Sequence, residues 1–532
     1  MAKTGCTKLN ARILITFLTL ILVFALSLAN YSLVLQPVET FISGKADTET
    51  TIKTITENYR SDLFEGKDLC ITMNGLFARL SGRRVYNDVT LMKNGSLTGT
   101  VSNRESTITT LSDESILVNF YSYFKKTNTP FLFIQRPFNT PLQEDLLPDG
   151  TFNIDQERGL RYVQAMKEAG AATLSLAPLM ANTTEDINRN FYRTDHHWNS
   201  DGALLAYGYI LDEMENVLGT TLDKSSADPE NWERHELQNW WLGSRGKRVG
   251  PLFAGTDSLI WHTPKFETGR ISRATAEKNT FYTGDFSEAC LRIGVTQKRN
   301  YYHSNDYYVY LGGDAALVQL RNEQAPNKKK VLVIKNSFGI PILAYLSTAF
   351  TEVDALDPRY YNESSLFQYI AWTKPDIVIS LISAGHLESD CLNADPDGSA
   401  QLAWNAEQRT PTEVFSMEQC VVKPEKKSKT ILFEAVEQGE VYRLNIDQVS
   451  VDCKDPGGLR VALKESKSKK IVSSIIFDID YCNRHGFQWT FCVPGSRNGD
   501  SKTEYQVLIY KENYTGNDDA EVICKGITLC KE

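Results

Sequence analysis

Val331-Leu332-Val333-Ile334-Lys335-Asn336-Ser337-Phe338-Gly339-Ile340-Pro341 reads as an apolar strand that runs into a serine, a glycine turn and a helix with proline in its first turn. A hydroxyl at that point stands at the carboxyl end of a strand, beside the amides and positive dipole end of the following helix. The same residues also suit a plain N-cap, because serine satisfies the free amides of a first helical turn. On either side, the short apolar runs Pro130 to Ile134, Thr173 to Ala177 and Ile377 to Ile382 are bounded by turn residues. They alternate with helical patterns from Leu111 to Ile382. That alternation predicts an α/β layer whose mostly parallel sheet is covered on both faces. Ser200 and Asp201 offer N-cap chemistry for a helix through about Val217, and Ile340-Pro341 opens another.

The chain of 532 residues is 42% hydrophobic, 11% aromatic and 23% charged, which excludes a disordered, collagen-like or polytopic membrane protein. A formal net charge of -9 lacks the basic footprint of a nucleic-acid partner. Near the N-terminus Lys3, Lys8 and Arg12 precede an apolar run from Ile13 to Ala29. A helix extended to Leu35 is long enough for the ~30 Å hydrocarbon core. Residues 1-12 are then a cytoplasmic N-terminus and 13-35 a transmembrane anchor, with everything after them outside the cytoplasm. Ser27-Leu28-Ala29 also has the small-x-small form of a signal-peptide cleavage site, so a secreted protein is the alternative. Of ten cysteines, Cys420, Cys453, Cys482, Cys492, Cys524 and Cys530 lie in the C-terminal part. They are either disulfide partners or buried thiols, and their spacing does not suggest zinc.

Residues 222-310 carry Trp232, Trp240, Trp241 and Trp261 and interrupt the α/β alternation, as an inserted subdomain or an active-site wall. Residues 386-429, ending near Lys423-Pro424-Glu425-Lys426-Lys427, read as a charged linker. In residues 430-532 apolar and polar residues alternate, as in Tyr442 to Asp447 and Phe487 to Val493. About eight short strands of that kind predict an antiparallel β-sandwich, with a texture like that of carbohydrate-binding modules.

Thr194-Asp195-His196-His197-Trp198-Asn199-Ser200 is the densest chemical feature. In an Asp-x-His pair the carboxylate can fix the imidazole tautomer and stabilise its protonated form, making a general base. Two adjacent histidines without a further ligand give a poor metal site, so no metal is expected. No Gly-rich phosphate loop is present, so no nucleotide cofactor is expected either.

Asp195-His196-His197-Trp198 resembles the name motif of the DHHW family, which is similar to the alginate O-acetyltransferase proteins with a permuted SGNH hydrolase-like domain. Asn87-Asp88-Val89, Lys93-Asn94-Gly95, Trp241-Leu242-Gly243-Ser244, Tyr310-Leu311-Gly312-Gly313-Asp314 and Lys335-Asn336-Ser337-Phe338 support the resemblance, which covers most of residues 60-385. It implies an SGNH-like catalytic domain there, with Ser337 as nucleophile, His197 as base and Asp195 as orienting carboxylate. The chain order Asp, His, Ser reverses the ordinary SGNH order. Before the serine the family pattern usually has aspartate, where this chain has Asn336; after it tyrosine is common in place of Phe338. The resemblance further implies O-acetyl transfer to an extracellular or cell-wall polysaccharide, with the acetyl group supplied by a membrane-bound acyltransferase. A carbohydrate esterase with the same triad and a glycan-binding scaffold without activity remain open.

For the oxyanion, the Ser337 amide is the first candidate donor and the Gly312-Gly313 amides are the second, although a tight turn is the commoner reading of those glycines. Arg136 and the run Arg245-Gly246-Lys247-Arg248 can bind an anionic glycan or simply face solvent. Trp240, Trp241 and Tyr310 can stack on sugar rings or form the core of the insertion.

Overall fold

The computed structural model describes residues 27–60, 66–99, 111–275, 280–361, 366–382, 411–423, 429–436, 441–453, 456–466, 468–493, 505–510 and 520–531, with single positions 21, 24, 25 and 387. Two compact units divide it: residues 1–89 with 246–255, and residues 90–245 with 256–532. The first contains the helices Tyr31–Ile42, Thr48–Arg60 and Lys67–Leu80, and the short helix Pro251–Ala254 packs on the last of them. Of the expected membrane anchor at 13-35, residues 13–20, 22, 23 and 26 lie outside the described residues. Among those described, no helix is long and apolar enough to cross a membrane.

The second unit is built on an eight-stranded sheet. In chain order its strands are β1 (Phe131–Gln135), β2 (Ala172–Ser175), β5 (Ile271–Thr275), β6 (Thr280–Gly284), β7 (Leu317–Arg321), β8 (Asn327–Lys335), β9 (Phe350–Leu356) and β10 (Ile377–Leu381); β3 (Trp232–Trp241) and β4 (Asp257–Pro264) form a separate antiparallel pair. The spatial order is β2-β1-β10-β8-β9-β7-β5-β6. Pairings from β2 to β9 are parallel and those from β9 to β6 antiparallel. This is the mixed, largely parallel α/β layer of an SGNH-like domain. Its strands read as continuous apolar runs because both faces are covered. On β8, Val331 and Val333 enter one core with the helices Ser200–Leu218 and Gly339–Ala349, while Leu332 and Ile334 enter the other. β1 divides in the same way, Leu132 and Ile134 against Phe131 and Phe133. Each fully buried side chain of this kind contributes about 1.5–3 kcal/mol.

The inserted segment is no detached subdomain. β5 and β6 extend the main sheet, and β3 and β4 pair with each other. Capping differs in one detail from the expectation: Asn199, not Ser200 or Asp201, caps the helix Ser200–Leu218 by accepting from the Gly202 amide at 2.8 Å.

The C-terminal part is the expected antiparallel sandwich. Its strands are β11 (Thr412–Val422), β12 (Lys429–Val436), β13 (Val441–Val451), β14 (Gly458–Glu465), β15 (Ile471–Asp478), β16 (Phe487–Cys492), β17 (Tyr505–Tyr510) and β18 (Val522–Lys531). They form two sheets, β11-β18-β13-β16 and β12-β17-β14-β15. The linker boundary needs correction, because β11 lies inside residues 386-429 and pairs with β18 along its length. The charged run beginning at Lys423 hides that strand in the sequence. β11 is an edge strand, and exposed polar positions are normal on such an edge.

Candidate active site

The carboxyl end of β8 delivers Ser337. β8 lies between β9 and β10, so its end is held by parallel neighbours on both sides. Asn336 then makes the turn: its side-chain oxygen accepts the Phe338 amide at 3.1 Å and its carbonyl accepts the Gly339 amide at 3.0 Å. An aspartate would accept that first bond equally well, so the local turn survives the change from the family pattern, and only a charge is lost. The Ile340 amide donates to the Ser337 carbonyl at 3.2 Å. Among the described residues the Ser337 amide has no acceptor.

Asp195 and His197 come from a turn closed by the bridge between Phe191 and Trp198 and by the Tyr192 amide donating to the His197 carbonyl at 3.2 Å. His197 Nδ1 lies 2.5 Å from Asp195 Oδ1, and His197 Nε2 lies 2.7 Å from Ser337 Oγ. Residues 140 positions apart in the chain thus meet as carboxylate, imidazole and alcohol. Asp195 Oδ1 also accepts the His197 amide at 3.0 Å, and Oδ2 accepts the Ser244 amide at 2.6 Å. Burial alone would raise the Asp195 carboxyl; the His197 and His196 rings and these donors hold it well below the usual range. It is therefore a carboxylate aimed at an imidazole. His197 and Asp195 are buried while Ser337 is half-buried, so the alcohol is the member that substrate can reach.

Several supporting residues carry no sequence signal that singles them out. Tyr307 stacks on the His197 ring at 4.0 Å between centroids and 17°, and its hydroxyl donates to the Ser337 carbonyl at 3.1 Å. Asp257 accepts the Arg193 and Thr194 amides at 2.7 and 2.8 Å and the Thr194 hydroxyl. Burial pushes the Asp257 carboxyl up to about 6 against those donors. The Thr194 hydroxyl in turn accepts the Gly243 amide at 2.7 Å. A Cβ on Gly243 would sit 2.5 Å from that of Asp195, so only glycine allows this approach. The Trp241-Leu242-Gly243-Ser244 motif is thereby explained: it seats the carboxylate.

His196 is the outer histidine. Its Nδ1 lies 3.1 Å from Ser244 Oγ and 3.4 Å from Asp195 Oδ1. Burial, followed by the adjacent His197, lowers its pKa to about 3. Asp195, His196 and His197 bring three ligand-type atoms within 4.8 Å of one another. The hydrogen bonds of the triad already use Asp195 Oδ1 and both His197 nitrogens, so a metal there would have to break the relay.

The remaining predicted site residues divide. The Arg136 guanidinium lies between the rings of Phe138 and Phe338, 4.3 and 4.4 Å from their centroids, and the Phe338 ring lies 4.7 Å from His197. Burial lowers the Arg136 pKa to about 10, with Asp155 opposing and Arg245 reinforcing the shift. It remains a cation beside the triad. Trp241 and Tyr310 are 1% exposed, which corrects their assignment to sugar stacking. Trp241 meets Tyr192 edge-on, and the Tyr310 hydroxyl is bonded to Tyr345 and the His262 amide. Trp240 is half-buried and donates to the Val295 carbonyl at 3.1 Å. Gly312 and Gly313 take φ of 71° and 106°, and the Gly313 amide is directed to the Tyr310 carbonyl at 3.4 Å. They form a turn, and the oxyanion assignment for Gly313 loses its donor.

An alcohol, an imidazole and a carboxylate thus stand in relay at the end of a parallel-sheet strand, within an SGNH-like domain. Residues 100–238 match the family model described as SGNH hydrolase-like domain, acetyltransferase AlgX. That match marks the chain as an enzyme of the acetyltransferase or esterase class. The matched stretch includes Asp195 and His197 and ends before Ser337, which the fold itself brings to them. Among solved structures the chain is similar to PatB1 of Bacillus cereus (23% identity, TM-score 0.46, over 57% of this chain and 98% of that one). It is also similar to a DHHW family protein of Eubacterium siraeum (14%, 0.38, 60% and 97%) and AlgX of Pseudomonas aeruginosa (12%, 0.34, 84% and 94%). No curated protein matches.

Proposed function

We propose that this protein is a serine O-acetyltransferase that modifies an extracellular or cell-wall polysaccharide through an acyl-enzyme. The 2.7 Å contact between Ser337 Oγ and His197 Nε2 carries the reading. His197 takes the serine proton, Asp195 stabilises the imidazolium, and Oγ attacks the acetyl carbonyl of the donor. The Ser337 amide, without another acceptor among the described residues, donates to the oxyanion. The leaving alcohol receives the proton from His197. A sugar hydroxyl then gives its proton to His197 and attacks the acetyl-serine, releasing the acetylated glycan and the free enzyme. Arg136, held beside Phe338, offers its charge to an anionic group of the acceptor.

A donor outside the cytoplasm calls for a partner, and a membrane-bound acyltransferase that delivers acetyl groups is the one we propose. The sandwich suits a glycan-holding module on grounds of architecture alone. The test uses purified protein, an activated acetyl ester and an oligosaccharide. Wild type is expected to turn over and Ser337→Ala to lose at least about 10³-fold; equal rates in the two proteins would remove both enzymatic readings and leave the scaffold. Acetylated oligosaccharide among the products identifies transfer, whereas acetate alone identifies an esterase.

A further inference from the structure

The cysteine pairing, which the sequence leaves open among six C-terminal residues, is narrowed by strand register. Cys420 on β11 lies directly opposite Cys524 on β18, within a run that pairs Gln419 with Lys525 and continues without a shift to Val422 opposite Val522. Directly opposed residues of an antiparallel pair have Cα atoms about 4.5 or 5.5 Å apart, and both values lie inside the ~4.4–6.8 Å span of disulfides. Both side chains point inward: Cys420 is 7% exposed and Cys524 0%. On its other flank Cys524 faces Val449 of β13, which offers no sulfur. The Cys524 thiol lowers the Cys420 pKa, while Cys420 and then burial push Cys524 well up.

We propose that Cys420 and Cys524 form a disulfide that fastens the first strand of the sandwich to the last. Cys420, on the edge strand, is the entry point. Its thiolate attacks one sulfur of a small disulfide oxidant and releases one thiol, leaving a mixed disulfide. The Cys524 thiolate then attacks the Cys420 sulfur, expels the second thiol and completes the bond. Two protons leave the cysteines, and the two electrons end on the reduced oxidant. The closed loop contains β12 to β17, nearly the whole sandwich, and long loops gain most from closure in the chain-entropy account. Cys482, buried in the helix Ile479–His485, is the competing partner. Cys290, buried in the α/β layer 3.5 Å from Ser347 Oγ, is expected to stay reduced.

The full chain is incubated with oxidised glutathione, denatured without reductant, alkylated, digested and mapped by mass spectrometry. A peptide pair linked through Cys420 and Cys524 is expected, lighter by two hydrogens than the separate peptides. Reduction of the same sample is expected to lower its melting temperature by at least about 5 °C. Alkylation of both cysteines after the oxidant, or a Cys524 link to Cys482, would overturn the proposal. Cys420→Ser gives a second reading that does not depend on its stability: the linked pair must vanish, with Cys524 recovered as a free thiol. A Cys524 disulfide to another residue in wild type would count against it.

Discussion

Asp195–His197 and Asp201–His262 are two carboxylate–imidazole pairs in the same α/β region, and they end differently. His197 connects Asp195 to the half-buried alcohol of Ser337 at 2.7 Å. His262 connects Asp201, 3.0 Å from Nε2, to the Tyr345 hydroxyl, 3.0 Å from Nδ1. Tyr345 is fully buried and bonded onward to Tyr310 at 2.9 Å. Burial pushes the Tyr345 phenol well up, so it keeps its proton. On the carboxylate side, Arg234 bonds Asp201 from the outside at 3.0 Å. One pair is therefore open at an alcohol, whereas the other is closed at both ends. A histidine beside an aspartate becomes a base only when its second nitrogen faces something that can react.

The largest effect is expected at the open pair. Asp195→Asn should lower kcat/KM for an activated acetyl ester by about 10³–10⁴, because asparagine favours the wrong tautomer of His197. A loss below tenfold would erase the distinction between the pairs. At the closed pair His262→Gln is expected to cost about 1–3 kcal/mol in urea unfolding, from buried groups left without partners, with turnover in the same order of magnitude. Collapse of activity in a folded His262→Gln protein would show that the second pair takes part.

The smallest effect concerns pH. His196 titrates near 3 in the folded chain against an ordinary 6.5, so the unfolded chain binds more protons between those values. This contribution to stability is complete above about pH 6.5 and is lost as the pH falls toward 3. Asp257, at about 6 against 3.8, acts in the opposite sense and loses stability as the pH rises through 6. His196→Gln should therefore flatten the acid-side loss, read as unfolding midpoints at about pH 7, 5 and 4. An unchanged slope would mean that the outer histidine does not feel its neighbours as described.

Much of this was legible because the signals were local. β8 stands where an apolar run ends in Ser337, and the Asp-x-His spacing makes its own turn. The C-terminal strands alternate as half-buried strands must. Tyr307, Thr194 and Asp257 were not legible, since their hydrogen bonds cross long stretches of chain and no periodicity marks them. Trp241 and Tyr310 misled for a related reason. An aromatic side chain in a loop-rich insertion looks the same in sequence whether it fills the core or faces a ligand. β11 was lost in a charged stretch because an edge strand tolerates exposed polar residues.

Gly243, Ser244, Asp257 and Tyr307 all belong to the segment that separates His197 from Ser337 in the chain. A chimera in which a relative's segment is transplanted between Leu222 and Tyr310 must therefore carry equivalents of these four fixed points, or the recipient's Asp195 loses its seat. The stretches between them are the natural place for exchange.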